Sequence, residues 1–305
     1  MELKKEELRK KFKESLVNQN LKKLVGAHNA ITSQLVEEAG FDGVWASGLE
    51  ISASLGYPDA NILTMNEVLN ITKEMTASCN IPVIADCDNG FGGINNVIRT
   101  VKEYEKAGVA GICIEDKKFP KINSFVENDH TLVPIDDFNS KIIAAKETRE
   151  DNNFILIART EALISGLSID DAVKRANSYL RAGADLVLIH SKKNDISEIN
   201  KFFEKFDHPS KVVLVPTTYS NITYTELEEL NINIVIHANQ LLRSIIFNSR
   251  IFLNKLKNAD SISEIESDIS KVSDIFSFQN MEEFIEKEEE YIKLGKKTTE
   301  NIMQF

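Results

Sequence analysis

Three stretches of this chain repeat one device: "EAGFDGVWASG" from Glu38, "KAGVAGICIED" from Lys106 and "RAGADLVLIHS" from Arg181. Each carries a charged residue, then Ala-Gly, then a short apolar run that closes on polar residues. Gly directly after a helical segment is a C-cap signal, because it accepts the left-handed backbone that ends a helix. A short apolar run without polar alternation reads as a strand covered on both faces, which belongs in a parallel sheet flanked by helices. The repeated unit is therefore a helix end feeding a buried strand.

Extending the pattern along the chain gives strands at 23–28, 43–47, 82–88, 111–116, 154–160, 186–191, 211–218 and 233–239. Amphipathic segments such as "TMNEVLNITKEMTA", "INNVIRTVKEYEKA" and "SIDDAVKRANSYLRA" lie between them. Strands alternating with helices in this number read as a (β/α)8 barrel of the TIM type. An open doubly wound sheet that binds a dinucleotide is poorly supported, since no Gly-x-Gly-x-x-Gly follows the first strand. Helical patterns after the last strand exceed what one closing helix needs. We read residues 1–305 as a single barrel domain, with 240–305 supplying closing and extra C-terminal helices that could pack on a neighbouring subunit.

The chain has 305 residues and a net charge of −11, which argues against a nucleic-acid partner, because a phosphate backbone needs a basic surface. No apolar run approaches the ~20 residues of a membrane span. The N-terminal "MELKKEELRKKFKESL" is charged and helical in pattern, without a signal core. Cys79, Cys87 and Cys113 have no metal-ligand spacing, and Cys113 sits in an apolar run as a core residue. A reducing, cytoplasmic setting is the expectation.

In a barrel of this kind chemistry gathers where strands end. The polar residues there are Ser47, Asp86, Asp88, Glu115, Asp116, Arg159, Glu161, His190, Thr217, Thr218, His237 and Asn239. Each alone is ordinary, but together they would converge on one mouth. Asp86 and Asp88 are two apart and would point the same way. Like charges side by side call for a cation, and with Glu115 on the next strand the oxygen-only set suits Mg2+ or Mn2+. The plainer alternative is a pair of helix-capping or solvated aspartates. Arg159 suits a bidentate grip on a carboxylate or phosphate, or a salt bridge to Glu161. His190 is a donor or proton carrier.

The segments "GVWASGLEISASLGYPDAN", "PVIADCDNGFGG", "GICIEDKKFPKINSF", "ILIARTEALISG", "ADLVLIHSKK", "LVPTTY" and "VIHANQLLRS" together resemble the phosphoenolpyruvate mutase family of the isocitrate lyase superfamily. The resemblance runs from about residue 20 to the last helices. Its most specific part is Glu115-Asp116-Lys117 followed by Asn123-Ser124. It implies an isomerase that moves a phosphoryl group within one small molecule, interconverting phosphoenolpyruvate and phosphonopyruvate, the first step of phosphonate biosynthesis. It implies Mg2+, with Asp86 as ligand and Asp59, Asp88 and Glu115 reaching the ion mainly through water. Trp45, Ser47, Gly48 and Leu49 would line the pyruvoyl end, and Arg159 and His190 would grip the phosphoryl group. Asp59 would be the essential aspartate, and Lys121, Asn123 and Ser124 would sit on a loop closing over the site. The barrel would be helix-swapped, in a homodimer or homotetramer.

Lyases of the superfamily carry a cysteine where this chain has Asn123, and no histidine follows it here. A C–C bond lyase is therefore the distant alternative. Phosphonopyruvate hydrolase, with nearly the same site, is the near one.

Overall fold

The computed structural model describes residues 2–17 and 20–302. They form two compact units, the first ending at Arg243 and the second beginning at Ser244. In the first unit the strands are β1 (Lys22–Ala27), β2 (Gly43–Ala46), β3 (Val83–Asp86), β4 (Gly111–Glu115), β5 (Ile155–Thr160), β6 (Leu186–Ile189), β7 (Val212–Leu214) and β8 (Ile234–His237). Each runs parallel to the next, and β8 pairs with β1, Val25 opposite His237, so the sheet closes. This is a (β/α)8 barrel.

Its helices are α1 (Glu2–Ser15) before the first strand, then α2 (Ala30–Glu38), α3 (Gly48–Ser54), α4 (Met65–Ser78), α5 (Ile94–Lys106), α6 (Ile135–Thr148), α7 (Ile169–Ala182), α8 (Ser197–Phe203) and α9 (Tyr224–Glu229). After β8 come α10 (Gln240–Asn258), α11 (Val272–Phe278) and α12 (Met281–Ile302). The repeated Ala-Gly device ends three of these helices the same way. Gly40, Gly108 and Gly183 have φ of 78°, 81° and 115°. The next N–H in each case turns back into the helix, Phe41 to Val36, Val109 to Tyr104 and Ala184 to Tyr179, at 3.3, 3.4 and 3.1 Å. Such a reverse bond satisfies a carbonyl left open at the helix end and aims the chain at the next strand.

The strand pattern separates two cores. Leu24, Trp45, Ile84, Cys113, Ile155, Ile157, Leu186, Leu188, Val213, Ile234 and Ile236 pack with one another inside the barrel. Their neighbours in sequence, such as Val44, Ala85, Ile112, Leu156, Val187 and Val235, pack outward with the helices. Phe12, near the C-terminal end of α1, and Leu16, just after it, join the inner cluster. Each strand thus buries both faces, which explains why its sequence shows no polar alternation.

Strands are shorter than the apolar-plus-polar segments suggested. Asp88, His190, Thr217 and Asn239 lie beyond the last paired residue. No helix among the described residues is long and apolar enough to cross a membrane. In the second unit Phe247, Ile251, Phe284 and Tyr291 are more than half exposed.

Candidate active site

The period of two that fills the barrel also builds its mouth. Two residues beyond inward-facing Trp45, Ile84, Cys113, Ile157 and Leu188 come Ser47, Asp86, Glu115, Arg159 and His190. Ser47, Asp86, Arg159 and His190 line one pocket with Trp45, Leu49, Asp59, Lys121, Asn123, Ser124, Phe125, Val215, Thr217, Ala238 and Asn239. Glu115 joins it through Arg159, whose Nε is 3.3 Å from Glu115 Oε2.

The same parity removes two candidates. Asp116 faces outward, where its carboxylate accepts from Thr160 Oγ1 at 2.9 Å, Tyr179 Oη at 2.6 Å and Arg175 Nη1 at 3.1 Å. It ties β4 and β5 to α7. His237 is held by Tyr224 Oη at 2.9 Å on the outer side. The adjacent acids Glu115 and Asp116 therefore do different jobs, one inside the barrel and one outside.

Asp86 and Asp88 do converge. A Cβ on Gly48 would stand 3.3 Å from Asp86 Oδ2 and 3.5 Å from Asp88 Oδ1. Asp88 reaches that point from a turn, with φ of 49°, rather than from a strand. Burial first, and then Asp88, push the Asp86 carboxyl up to about 7. Asn61 Nδ2 donates to Asp88 Oδ2 at 2.8 Å.

Ser47 directly follows β2 and caps α3, accepting from Glu50 N at 3.3 Å. The N–H groups of Gly48 and Leu49 thus belong to the first turn of a helix, where no intrahelical acceptor exists. Helix α3 was not legible beforehand. "GLEISAS" is short, and its first turn places Leu49 in the pocket lining.

The loop between β4 and α6 folds over the pocket. Lys121 Nζ is 2.5 Å from Asp59 Oδ1 and 3.0 Å from Asp88 Oδ1, and Asn123 Nδ2 donates to Asp59 Oδ2 at 2.6 Å. Burial alone would raise Asp59, but Lys121 and Asn123 bring its carboxyl below the usual range. Burial opposes the charge on Lys121, yet Asp88 and Asp59 hold its pKa well above normal.

Glu161, which the sequence places at the mouth without a role of its own, is the hub of the site. Fully buried, its Oε1 takes Arg159 Nε at 2.5 Å and faces His190 Nδ1 at 3.0 Å. Its Oε2 takes Ser124 Oγ at 2.5 Å and faces Lys117 Nζ at 3.1 Å. Burial would raise its carboxyl, but Arg159, His190 and Lys117 hold it well below the usual range. The signal was present, because Glu161 shares the parity of Arg159. It read as a mere salt-bridge partner.

His190 Nδ1 is 3.0 Å from Arg159 Nη2 as well as from Glu161. Burial holds the imidazole below its ordinary pKa, against the pull of Glu161 in the other direction. Its Nε2 is buried and has no partner, and Phe125 packs edge-on at 5.3 Å.

The model of the family described as phosphoenolpyruvate phosphomutase matches residues 12–255. The chain belongs to that family. The solved phosphoenolpyruvate phosphomutase of Streptomyces platensis subsp. rosaceus is 42% identical, with a TM-score of 0.87 over 92% of this chain and 99% of that one. Phosphonopyruvate hydrolase of Variovorax sp. (strain Pal2) is 39% identical over 271 residues, 88% of this chain and 93% of that protein. A solved phosphonopyruvate hydrolase in complex with oxalate and Mg++ is 37% identical, with a TM-score of 0.88 over 93% of this chain and 99% of that one. Mutase and hydrolase stand at similar distances, so the likeness fixes the family and leaves these two activities side by side.

The donor set at the mouth fits a divalent ion. Glu115 Oε1 is buried without a hydrogen bond, Asp88 Oδ1 is met by Lys121 Nζ at 3.0 Å, and Asp86 lies in a cluster of like charge. Among the described residues no three His, Cys, Asp or Glu side chains form a cage of their own. An oxygen-only donor set suits Mg2+, which is bound through one or two carboxylates and keeps several waters. The cysteines do not enter the chemistry of the loop: Cys79, Cys87 and Cys113 are all buried and free.

Proposed function

We propose that this protein is a phosphoenolpyruvate mutase, interconverting phosphoenolpyruvate and phosphonopyruvate. The observation that carries the reading is the loop carrying Lys121 and Asn123 across the pocket to Asp59, with asparagine at the position where a lyase of the superfamily needs cysteine.

In this reading the substrate's carboxylate meets the first-turn N–H groups of Gly48 and Leu49, beside Trp45 and Ser47. Arg159 and His190 face the phosphoryl oxygens, His190 through its unpartnered Nε2. A Mg2+ ion held by Asp86, with Asp88 and Glu115 acting through water, would supply charge to stabilise the pyruvate enolate. Phosphoryl transfer passes through a loose transition state, so positioning and charge stabilisation are the main tasks. The P–O bond of phosphoenolpyruvate breaks as the P–C3 bond forms, and the oxygen left behind becomes the ketone. Lys121 and Asn123 donate to the migrating group without taking a proton. Asp59 orients both. The loop keeps water from phosphorus, which would otherwise yield pyruvate and phosphate.

The 39% identity to a phosphonopyruvate hydrolase favours the second reading, cleavage of the C–P bond by water. Product analysis by ³¹P NMR separates the two. We further propose a homo-oligomer. The exposed apolar side chains of the second unit, Phe247, Ile251, Phe284 and Tyr291, support it, and light scattering tests it.

A further inference from the structure

Ser124 comes from the loop, and its hydroxyl has no capacity left. It donates to Glu161 Oε2 at 2.5 Å and accepts from Lys117 Nζ at 2.6 Å and Arg159 Nη2 at 3.1 Å. A hydroxyl has one donor and two acceptor sites, and all are used. Lys117 also holds the loop backbone, donating to Ile122 O at 3.0 Å. The whole group is sealed from solvent: Ser124, Lys117 and Glu161 are 3%, 2% and 0% exposed. The far ends of this network are Arg159 and His190, which line the pocket. A buried carboxylate is costly unless its oxygens are satisfied, so Glu161 is stable only while its cations and the loop hydroxyl stay in place.

We propose that Glu161 is a positioning residue and the socket of a latch. The Ser124 hydroxyl plugs into it when the loop closes, and the same carboxylate then sets Arg159 and His190. This rests on the mutase reading above and adds to it what separates transfer from hydrolysis. An unlatched loop admits water while the phosphoryl group is in transit. Water attacks phosphorus and gives inorganic phosphate, and the enolate left behind takes a proton at C3 to give pyruvate. Loss of one hydrogen bond to a charged group is enough to change such a partition by roughly tenfold.

The test measures the ratio of phosphate to phosphoenolpyruvate formed from phosphonopyruvate, by ³¹P NMR, for the wild type, Ser124→Ala and Glu161→Gln. Ser124→Ala removes one loop atom and leaves the barrel core intact, so it answers even where Glu161→Gln fails to fold. The expected result is phosphoenolpyruvate from the wild type and a phosphate share at least roughly tenfold higher from Ser124→Ala. A Ser124→Ala enzyme that turns over more slowly but keeps the wild-type ratio overturns the latch and leaves the mutase reading standing. Phosphate as the main product of the wild type overturns the mutase reading itself, and the latch with it.

Discussion

Lys121 and Asp59 form a buried ion pair across the mouth of the barrel, Nζ to Oδ1 at 2.5 Å, with both side chains almost wholly shielded from solvent. One residue comes from the loop after β4, the other from the segment between α3 and α4. The loop therefore sets a cation against an acid that, in the proposed reaction, has to orient it. Asp59→Ala is expected to abolish turnover, by at least roughly a hundredfold, while the far-ultraviolet circular dichroism stays that of a folded barrel. Positioned charge contributes on this scale in transition-state stabilisation. Steady-state rates with phosphonopyruvate check it, and retained activity would remove Asp59 from its role.

With the carboxylate cluster at Gly48, the proposed reaction is expected to depend on a divalent metal. Protein stripped with a chelator is expected to be inactive and to recover with Mg2+. Because a ligand bound only by the folded state raises its stability, Mg2+ should also raise the thermal midpoint of the wild type. Asp86→Asn should remove that rise. Differential scanning fluorimetry with and without the ion reads both, independently of activity.

The hub predicts an acid-labile fold. Glu161 has a folded pKa held well below 4.5, the ordinary value, and Asp59 is lowered from 3.8. Carboxyls depressed in the folded state stabilise it above their unfolded pKa, and that stability is lost as pH falls through and below this range. Denaturant titrations should therefore show stability declining below about pH 4.5. The decline should be shallower in Glu161→Gln. That variant also starts less stable, by about 3–5 kcal/mol, since Lys117 and Arg159 lose a buried partner. An unchanged acid slope would contradict the assignment of Glu161 as the buried counter-charge.

Gly40 isolates the cost of the helix-ending device. It sits at φ of 78° and nothing lies within 4 Å of an added Cβ. Gly40→Ala is expected to destabilise by about 1–2 kcal/mol from backbone conformation alone. Activity should be unaffected. Equilibrium unfolding in urea measures it.

Much of this architecture was legible because both its signals are local. Ala-Gly followed by an apolar run marks where α2, α5 and α7 hand over to β2, β4 and β6. The period of two within each strand fixes which polar residue enters the mouth, hence Asp86, Glu115, Arg159 and His190. What escaped the sequence depends on partners distant along the chain. Asp116 and His237 look as functional as their neighbours, and the contacts with Tyr179 and Tyr224 show that they face away from the mouth. Glu161 looks like a salt-bridge partner two residues from Arg159, until the loop brings Ser124 and Lys117 to its other oxygen. The expectation that Asp88 continues a strand gave way to a left-handed turn, which still delivers its carboxylate beside Asp86.

The most direct measurement follows phosphonopyruvate and Mg2+ with the wild-type protein by ³¹P NMR. A phosphomutase with its loop latched gives phosphoenolpyruvate as the dominant early product. Inorganic phosphate and pyruvate as the dominant early products would contradict it.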